Sequence, residues 1–394
     1  MWIKRDISSI LKENKDAIQI LKGPRQCGKS SLILNLDSEF KEVSLDDSSL
    51  RQLAQADPEL FLKQFGQSKL FIDEAQYAPQ LFPALKRKID LYKRGNTKVQ
   101  TIVRMTGSNQ IMMDQQVKES LAGRASFFEL NTLSVTEILN SQTRTIQDIL
   151  YTGGWPELYS VEGKSVKKYL DDYINSYIEK DIVLSAGIQK QLEFLKFIKL
   201  LAGRVGQLVE YASLSNEVGV DSKTIKEWTS ILVRMGVIYL VQPFSGNLNS
   251  RLIKSPKVFF IDTGLACRLQ GWTSAEPIMT SPQQGALFEN LVFSEIYKLI
   301  INFQLDWEIF HWRSKDKEEI DFLVQMNRED FIFIESKVSY QTPIQLKKFP
   351  EVQKYFKNKN IPVIHCIMEG DKILHQNVPI AFLSEYLKAA FNLF

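Results

Sequence analysis

Residues 23–30 run Gly-Pro-Arg-Gln-Cys-Gly-Lys-Ser, which meets the pattern G-x-x-x-x-G-K-[ST] at every constrained position. No other feature restricts the fold as much, because a phosphate-cradling loop has to join a buried strand to the start of a helix. The flanks agree. Apolar Ile18-Gln19-Ile20-Leu21 runs into the loop, and Leu32, Ile33, Leu34 and Leu36 follow it at helical spacing. The glycines let the backbone curl so that N–H groups face phosphate oxygens, and the helix N-terminus adds favourable charge. Lys29 then reaches the β- and γ-phosphates, and the Ser30 hydroxyl ligates Mg²⁺. Gly23, Pro24, Arg25, Gln26, Cys27, Gly28, Lys29, Ser30 and Ser31 form the expected ATP contact set. Cys27 lies inside the loop, so a thiol adduct there is expected to block nucleotide, and bound ATP to protect the thiol.

A second apolar stretch, Leu70-Phe71-Ile72, ends in Asp73-Glu74. After a phosphate loop, such a pair is expected to divide the work, with Asp73 holding Mg²⁺ and Glu74 polarising the attacking water. A third stretch ends Arg104-Met105-Thr106-Gly107-Ser108-Asn109, where polar side chains, Asn109 among them, stand to sense a γ-phosphate or to mark an ordinary strand-to-loop turn. Arg124, in Leu121-Ala122-Gly123-Arg124, reads either as a source of positive charge for the transition state, in cis or across a subunit boundary, or as a surface arginine.

With 394 residues the chain exceeds what one core accommodates. Strands are expected at Ala17–Leu21, Leu70–Ile72 and Thr101–Met105, with helices at Lys29–Leu36 and Leu81–Lys93, the alternation of a parallel sheet. Gly153-Gly154-Trp155-Pro156 punctuates the chain. Helix follows over Val166–Val183 and, with breaks at Gly206, Gly219 and Gly236, over Gln189–Gln242. Strands return at Val258–Ile261, Glu319–Gln325, Phe331–Lys337 and Pro362–Met368, with helices at Phe288–Ile301 and Pro343–Phe356. No run is apolar enough to span a bilayer, and the start carries no signal-peptide-like stretch, so no membrane partner is expected. Cys27, Cys267 and Cys366 are few and widely spaced, which points to a reducing, cytoplasmic setting, and the three histidines make no zinc spacing with them. Net charge is +3, too small to imply nucleic acid by itself. It is unevenly spread. Residues 187–265 carry ten Lys/Arg against six Asp/Glu, whereas residues 280–394 carry thirteen against fifteen, so the middle is the favoured segment for a phosphate backbone.

In that middle, Leu214–Ile225 has helix-turn-helix rhythm, and Val237–Val241 with Val258–Ile261 suit the strands of a wing. If the second helix enters a major groove, Lys223, Thr224, Lys226 and Thr229 reach the bases; Trp228 suits the alternative, packing against a neighbour. Further on, Glu319–Val324 and Phe331–Lys337 form a hairpin. Centring its turn on Arg328 sets Asp321 opposite Glu335, with Lys337 on the same face. Two carboxylates and a lysine at a hairpin end can bind Mg²⁺ through oxygen ligands, with Glu289 of the preceding helix as a fourth member, or they are simply a solvated hairpin end.

These residues resemble a prokaryotic family of AAA-superfamily ATPases with a C-terminal restriction-endonuclease-like domain of unassigned function. The matching pieces span nearly the whole chain: Leu21–Gln26 with the phosphate loop, Phe71–Gln76, Thr106–Ser108, Leu121–Arg124, Gly153–Pro156, Ser255–Val258, Asp262–Leu265, Phe288–Asn290 and Glu319–Phe322. Cys27 stands where an aliphatic residue is usual, and Trp155 where Phe is. The resemblance implies an α/β chain: an AAA-like P-loop NTPase parallel sheet (1–150), a helical connector (151–186), a winged-helix-like segment (187–265) and a smaller restriction-endonuclease-like α/β domain (266–394). It also implies a D…E-x-K nuclease-type site, here Asp321, Glu335 and Lys337. The expected function is ATP hydrolysis coupled to a Mg²⁺-dependent nuclease-like domain acting on DNA or RNA, with a homo-oligomer among the expected partners. The alternative is an ATP-dependent switch for a protein partner, its nuclease-like fold inactive.

Overall fold

Ile18–Lys22 forms strand β1, and its alternating side chains enter two different cores, as a strand covered on both faces requires. Ile18 and Ile20 join one cluster with Leu70, Ile72, Val103 and Met105, while Leu21 joins another with Phe71, Leu32, Ile33 and Phe128. The structure, a computed structural model, describes residues 2–66, 68–95, 99–107, 121–183, 186–244, 255–313, 319–343, 356 and 361–391. Ser108, Asn109 and residues 344–355 of the expected helix Pro343–Phe356 lie outside the described residues.

The chain forms two compact units: Lys4–Thr132 with Ile301–Phe303, and Leu133–Ile300 with Gln304–Phe394 and Met1–Ile3. The first is built on a parallel sheet in which β1 is joined by β2 (Lys41–Ser44), β3 (Leu70–Asp73), β4 (Val103–Gly107) and β5 (Ala125–Glu129) in the order β2-β3-β4-β1-β5. The phosphate loop leaves the C-terminal end of β1 between β4 and β5 and enters the helix Lys29–Leu36. β2 and β5 are additions to the strands read from sequence.

The second unit holds a mixed sheet of β6 (Ile238–Pro243), β7 (Lys257–Phe260), β8 (Glu308–Arg313), β9 (Glu319–Gln325), β10 (Phe331–Lys337), β11 (Val363–Ile367) and β12 (Asn377–Pro379), ordered β12-β11-β10-β9-β8-β6-β7. β6 pairs antiparallel with β7 and parallel with β8, so the ladder of the middle segment and the C-terminal strands are one sheet. The β9–β10 register, Phe331↔Gln325 through Ile334↔Phe322, is centred on Arg328 as the sequence spacing requires. The turn is held by Asn327 Oδ1, which accepts from the N–H groups of Glu329 at 2.8 Å and Asp330 at 2.9 Å.

Ahead of β6, helices Gln191–Ala202, Tyr211–Val218 and Ser222–Arg234 follow in succession. Gly219 adopts the left-handed conformation (φ 89°) that ends the second helix, and Asp221 caps the third by accepting from Thr224 N at 2.9 Å. Trp228 is buried and packs on Phe194 and Phe197, with ring centroids 5.3 and 5.8 Å away. The expected helix Val166–Val183 is α-helical only over Val166–Tyr173 and continues as a π-helix over Ile174–Ile182.

Candidate functional site

The phosphate loop owes its shape to three backbone positions. Gln26 (φ 61°) and Gly28 (φ 91°) are left-handed, and a Cβ on Gly23 would sit 2.0 Å from the Leu130 carbonyl oxygen, so no other residue fits there. Lys29 is buried and folds back over the loop, donating to Gly23 O at 3.0 Å and Pro24 O at 2.8 Å. Ser30 donates to Asp73 Oδ1 at 2.9 Å, so the two residues assigned to the metal meet, one from the helix that follows the loop and one from the end of β3. Thr106 at the end of β4 also donates to Asp73 Oδ1 and accepts from Glu74 N at 3.3 Å. Glu74 holds a left-handed backbone (φ 55°), and its carboxylate accepts from the buried Gln76 amide. Thr106 and Gln76 are the parts that spacing alone did not single out, although both lie inside motifs quoted above.

One expectation needs correction here. The Cys27 thiol faces the core, not the phosphates: it is fully buried, its Sγ donates to Leu130 O at 3.3 Å, and burial pushes its pKa up. Only the Cys27 backbone belongs to the loop, its carbonyl accepting from Arg5 at 3.0 Å. Arg124 grips Asp90 through two hydrogen bonds of 2.8 and 3.1 Å. It precedes Ala125, which pairs with Ile18 at the start of β1, the end of the sheet opposite the loop. Arg124 therefore lies toward the end of the sheet opposite the phosphate loop of its own chain. Arg104, grouped with the third strand's polar end, bonds Gln19 at 3.0 Å and stacks on Phe40 instead.

In the second unit, the hairpin and the helix Gln284–Asn302 gather charged side chains. Asp321 Oδ2 accepts from Ser336 N at 2.7 Å, which places the Asp321 carboxylate against the β10 strand carrying Glu335 and Lys337. Lys337 Nζ lies 2.9 Å from Glu335 Oε2 and 3.9 Å from Asp321 Oδ2. Lys257 of β7, which sequence reading did not bring to this site, lies 3.1 Å from Glu289 Oε1 and 2.5 Å from Glu319 Oε1. Burial, then the charge of Asp321, pushes Glu289 up to about 8 and Glu335 up to about 7. Burial raises Asp321 as well, against the pull of Lys337 and Lys257. Burial works against a charged Lys257, but its carboxylate neighbours prevail and hold it up at about 12. Nearby, His311 is driven down to about 4, chiefly by burial.

Among the described residues, no group of three or more His, Cys, Asp and Glu side chains stands ready to hold a metal ion. The contacts explain why: the lysines and the Ser336 amide occupy the carboxylates. On the carboxylates themselves, Glu335 Oε1 is buried without a hydrogen-bond partner. An unpaired carboxylate oxygen among mutually repelling carboxylates fits a hard divalent ion, given side-chain rotation to bring the oxygens together.

On the helix Ser222–Arg234, Lys223 and Lys226 are exposed, but Thr229 is buried and bonds Ile225 O at 2.8 Å. Thr229 therefore cannot reach a groove; Ser230 and Arg234 share the exposed stripe with the two lysines. The glycine and Asp262 motifs prove structural. A Cβ on Gly154 would sit 2.2 Å from Leu133 O, one on Gly264 would sit 2.4 Å from Thr152 O, and Asp262 accepts from Gly154 N at 2.8 Å.

Residues 15–139 match the family model described as AAA domain, and residues 143–276 and 284–383 match two models described as domains of unknown function, DUF8612 and DUF4143. An uncharacterized protein of Mycobacterium tuberculosis is 27% identical over 335 residues, covering 84% of this chain and 73% of the relative. One of Haemophilus influenzae is 22% identical over 365 residues, covering 84% of each. Among solved structures, a Walker-type ATPase of Pyrococcus abyssi aligns with TM-score 0.39 and 13% identity over 67% of this chain and 94% of its own. The Aeropyrum pernix ORC2 protein aligns with TM-score 0.37 and 10% identity over 70% and 93%. The domain match and the loop geometry together support an AAA-type, nucleotide-binding P-loop fold for residues 15–139. No helix among the described residues is long and apolar enough to cross a membrane.

Proposed function

We propose that this chain binds Mg-ATP at the loop Gly23–Ser31 and hydrolyses it, and that the second unit is a nuclease-like fold acting on nucleic acid. The observation that carries the first part is the 2.9 Å contact of Ser30 with Asp73, since these two oxygens have to meet at one cation. Lys29 leaves its carbonyl partners for the phosphates. Glu74, aimed by Gln76, orients the water; Thr106 fixes Asp73 and the Glu74 backbone together. Bound Mg²⁺ supplies charge neutralisation of the transferred phosphoryl group. Arg124 acts on a neighbouring copy's nucleotide, a role consistent with its place toward the end of the sheet opposite its own loop.

For the second unit, the reading rests on Asp321, Glu335, Lys337 and Glu289 sharing one locus with an unpaired Glu335 oxygen. Asp321 and Glu335 would hold the ion, with Glu289 engaged by Lys257 beside them, and Lys337 would steady a hydroxide or the charged transition state. The three helices followed by the β6–β7 ladder have the order of a winged helix, whose exposed Lys223, Lys226, Ser230 and Arg234 face a phosphate backbone. The three cysteines are free and buried, which suits a reducing, cytoplasmic setting. A second reading, an ATP-dependent regulator of a protein partner with an inactive nuclease-like fold, draws on the absence of a ready metal group among the described residues. A divalent-metal cleavage assay on DNA and RNA, with and without ATP, separates the two: cleavage lost in Asp321→Ala supports the nuclease, and no cleavage under any condition leaves the regulator.

A further inference from the structure

The carboxylate cluster contains a second lysine with a defined place. Lys257 opens β7, where its backbone pairs with Val241 of β6 and bridges to Leu208. Its side chain is 5% exposed, and its ammonium straps Glu289 to Glu319 as Lys337 straps Glu335 to Asp321. With all four carboxylates ionised, the state a bound cation selects, and Arg313 counted on Glu319, these seven groups carry a formal charge of −1. One divalent ion already exceeds that charge slightly; a second leaves a large excess.

Sites that use two ions separate them by roughly 3.5–4 Å and need carboxylate oxygens for both. Here Glu319 is spent on Lys257, with Arg313 3.8 Å away on its other oxygen, and Oε1 of Glu289 is spent on Lys257 as well. The other oxygen of Glu289 lies against Gly206, where even a Cβ would come within 3.0 Å of it. The opening that remains is on the Glu335 and Asp321 side, at the unpartnered Glu335 Oε1.

We propose that Lys257 is a fixed cation standing where a second divalent ion sits in two-ion sites, so that this site takes a single Mg²⁺ or Mn²⁺. The proposal rests on the reading of the cluster as a metal site. Lys257 is a positioning residue: it touches neither substrate nor ion, and it sets how many ions the carboxylates accept.

Ion stoichiometry tests this without any turnover. Mn²⁺ binding is measured by calorimetry and equilibrium dialysis on the full chain without nucleotide, in an Asp73→Asn background that removes the phosphate-loop carboxylate. Wild type at Lys257 is expected to bind one Mn²⁺, Lys257→Arg one, and Lys257→Gln two, because Glu289 and Glu319 are released as ligands. One ion at unchanged affinity in Lys257→Gln overturns the proposal. Two ions with Lys257 intact overturn it too, and that result stands even if a melting curve shows Lys257→Gln to be unfolded. If wild type binds none, and matches Asp321→Ala, the metal-site reading itself fails and takes the proposal with it.

Discussion

Ser30 and Asp73 are 43 residues apart in sequence and 2.9 Å apart in space, and both were identifiable because their spacing follows from the chemistry of holding a phosphate and its cation. Cys27 was misread at the same scale. Spacing places a residue in the loop, but which way its side chain points depends on Leu130, over a hundred residues away. The expected behaviour of the thiol reverses accordingly. Alkylation of Cys27 in the folded chain should be slow, and equally slow with and without saturating ATP; protection by ATP contradicts the buried orientation. The carboxylate cluster makes a second prediction at this scale. Glu289, pushed up to about 8 by burial and Asp321, keeps its proton in the folded chain where the unfolded chain, near the ordinary value of 4.5, has lost it. The unfolded state thus binds fewer protons across that window, so the stabilisation is complete below pH 4.5 and is lost as pH rises through about 8. In chelator, melting temperatures of wild type minus Glu289→Gln should fall from pH 5 to pH 8, a window set by that shift, and saturating Mn²⁺ should flatten the fall. A difference that stays level in chelator contradicts it.

The β9–β10 hairpin was readable as an element because two alternating runs flank a polar turn, and one register alone buries both apolar faces. β2 and β8 were not. Lys41-Glu42-Val43-Ser44 buries one side chain at a sheet edge, and β8 shifts register between Phe310 and Trp312, which breaks the alternation a reader looks for. The helix Ser222–Arg234 was found with Lys223 and Lys226 on its exposed face, but Thr229, read onto that face, lies one position off it. Thr229 packs inward because it follows Trp228 and Ile225 onto the core side, leaving Ser230 outward. If the exposed face meets a phosphate backbone, Lys223→Glu with Lys226→Glu should weaken duplex DNA binding about tenfold or more at low salt and reduce its salt dependence. Ser230→Ala should leave stability unchanged, while Thr229→Lys should unfold the segment. A filter-binding titration and a melting curve check both, and unchanged affinity in the double variant returns this helix to a packing role.

At the scale of the molecule, the boundaries expected at 150, 186 and 265 divide the chain more finely than its two compact units. The difference has a physical origin. A winged-helix-like segment looks self-contained in one dimension, yet β6 carries partners on both edges, β7 from its own segment and β8 from beyond Ile300. Pairing between strands so far apart in sequence leaves no local mark. Fragment 187–265 alone should consequently expose an unpaired β6 edge and fail to give a cooperative melt, whereas 133–394 should melt as one transition. A stable, cooperatively folding 187–265 fragment contradicts the single sheet. For the whole chain, turnover of Mg-ATP by the first unit is the property with the widest consequence. The most direct measurement is steady-state ATP hydrolysis paired with equilibrium ATP binding for wild type and Glu74→Gln. The expected result is wild-type affinity in both with turnover reduced by about a hundredfold or more in the variant, since the water loses its positioning carboxylate while Lys29, Ser30 and Asp73 keep theirs. Equal turnover in the two proteins, or no hydrolysis by wild type under any divalent-ion condition, contradicts it.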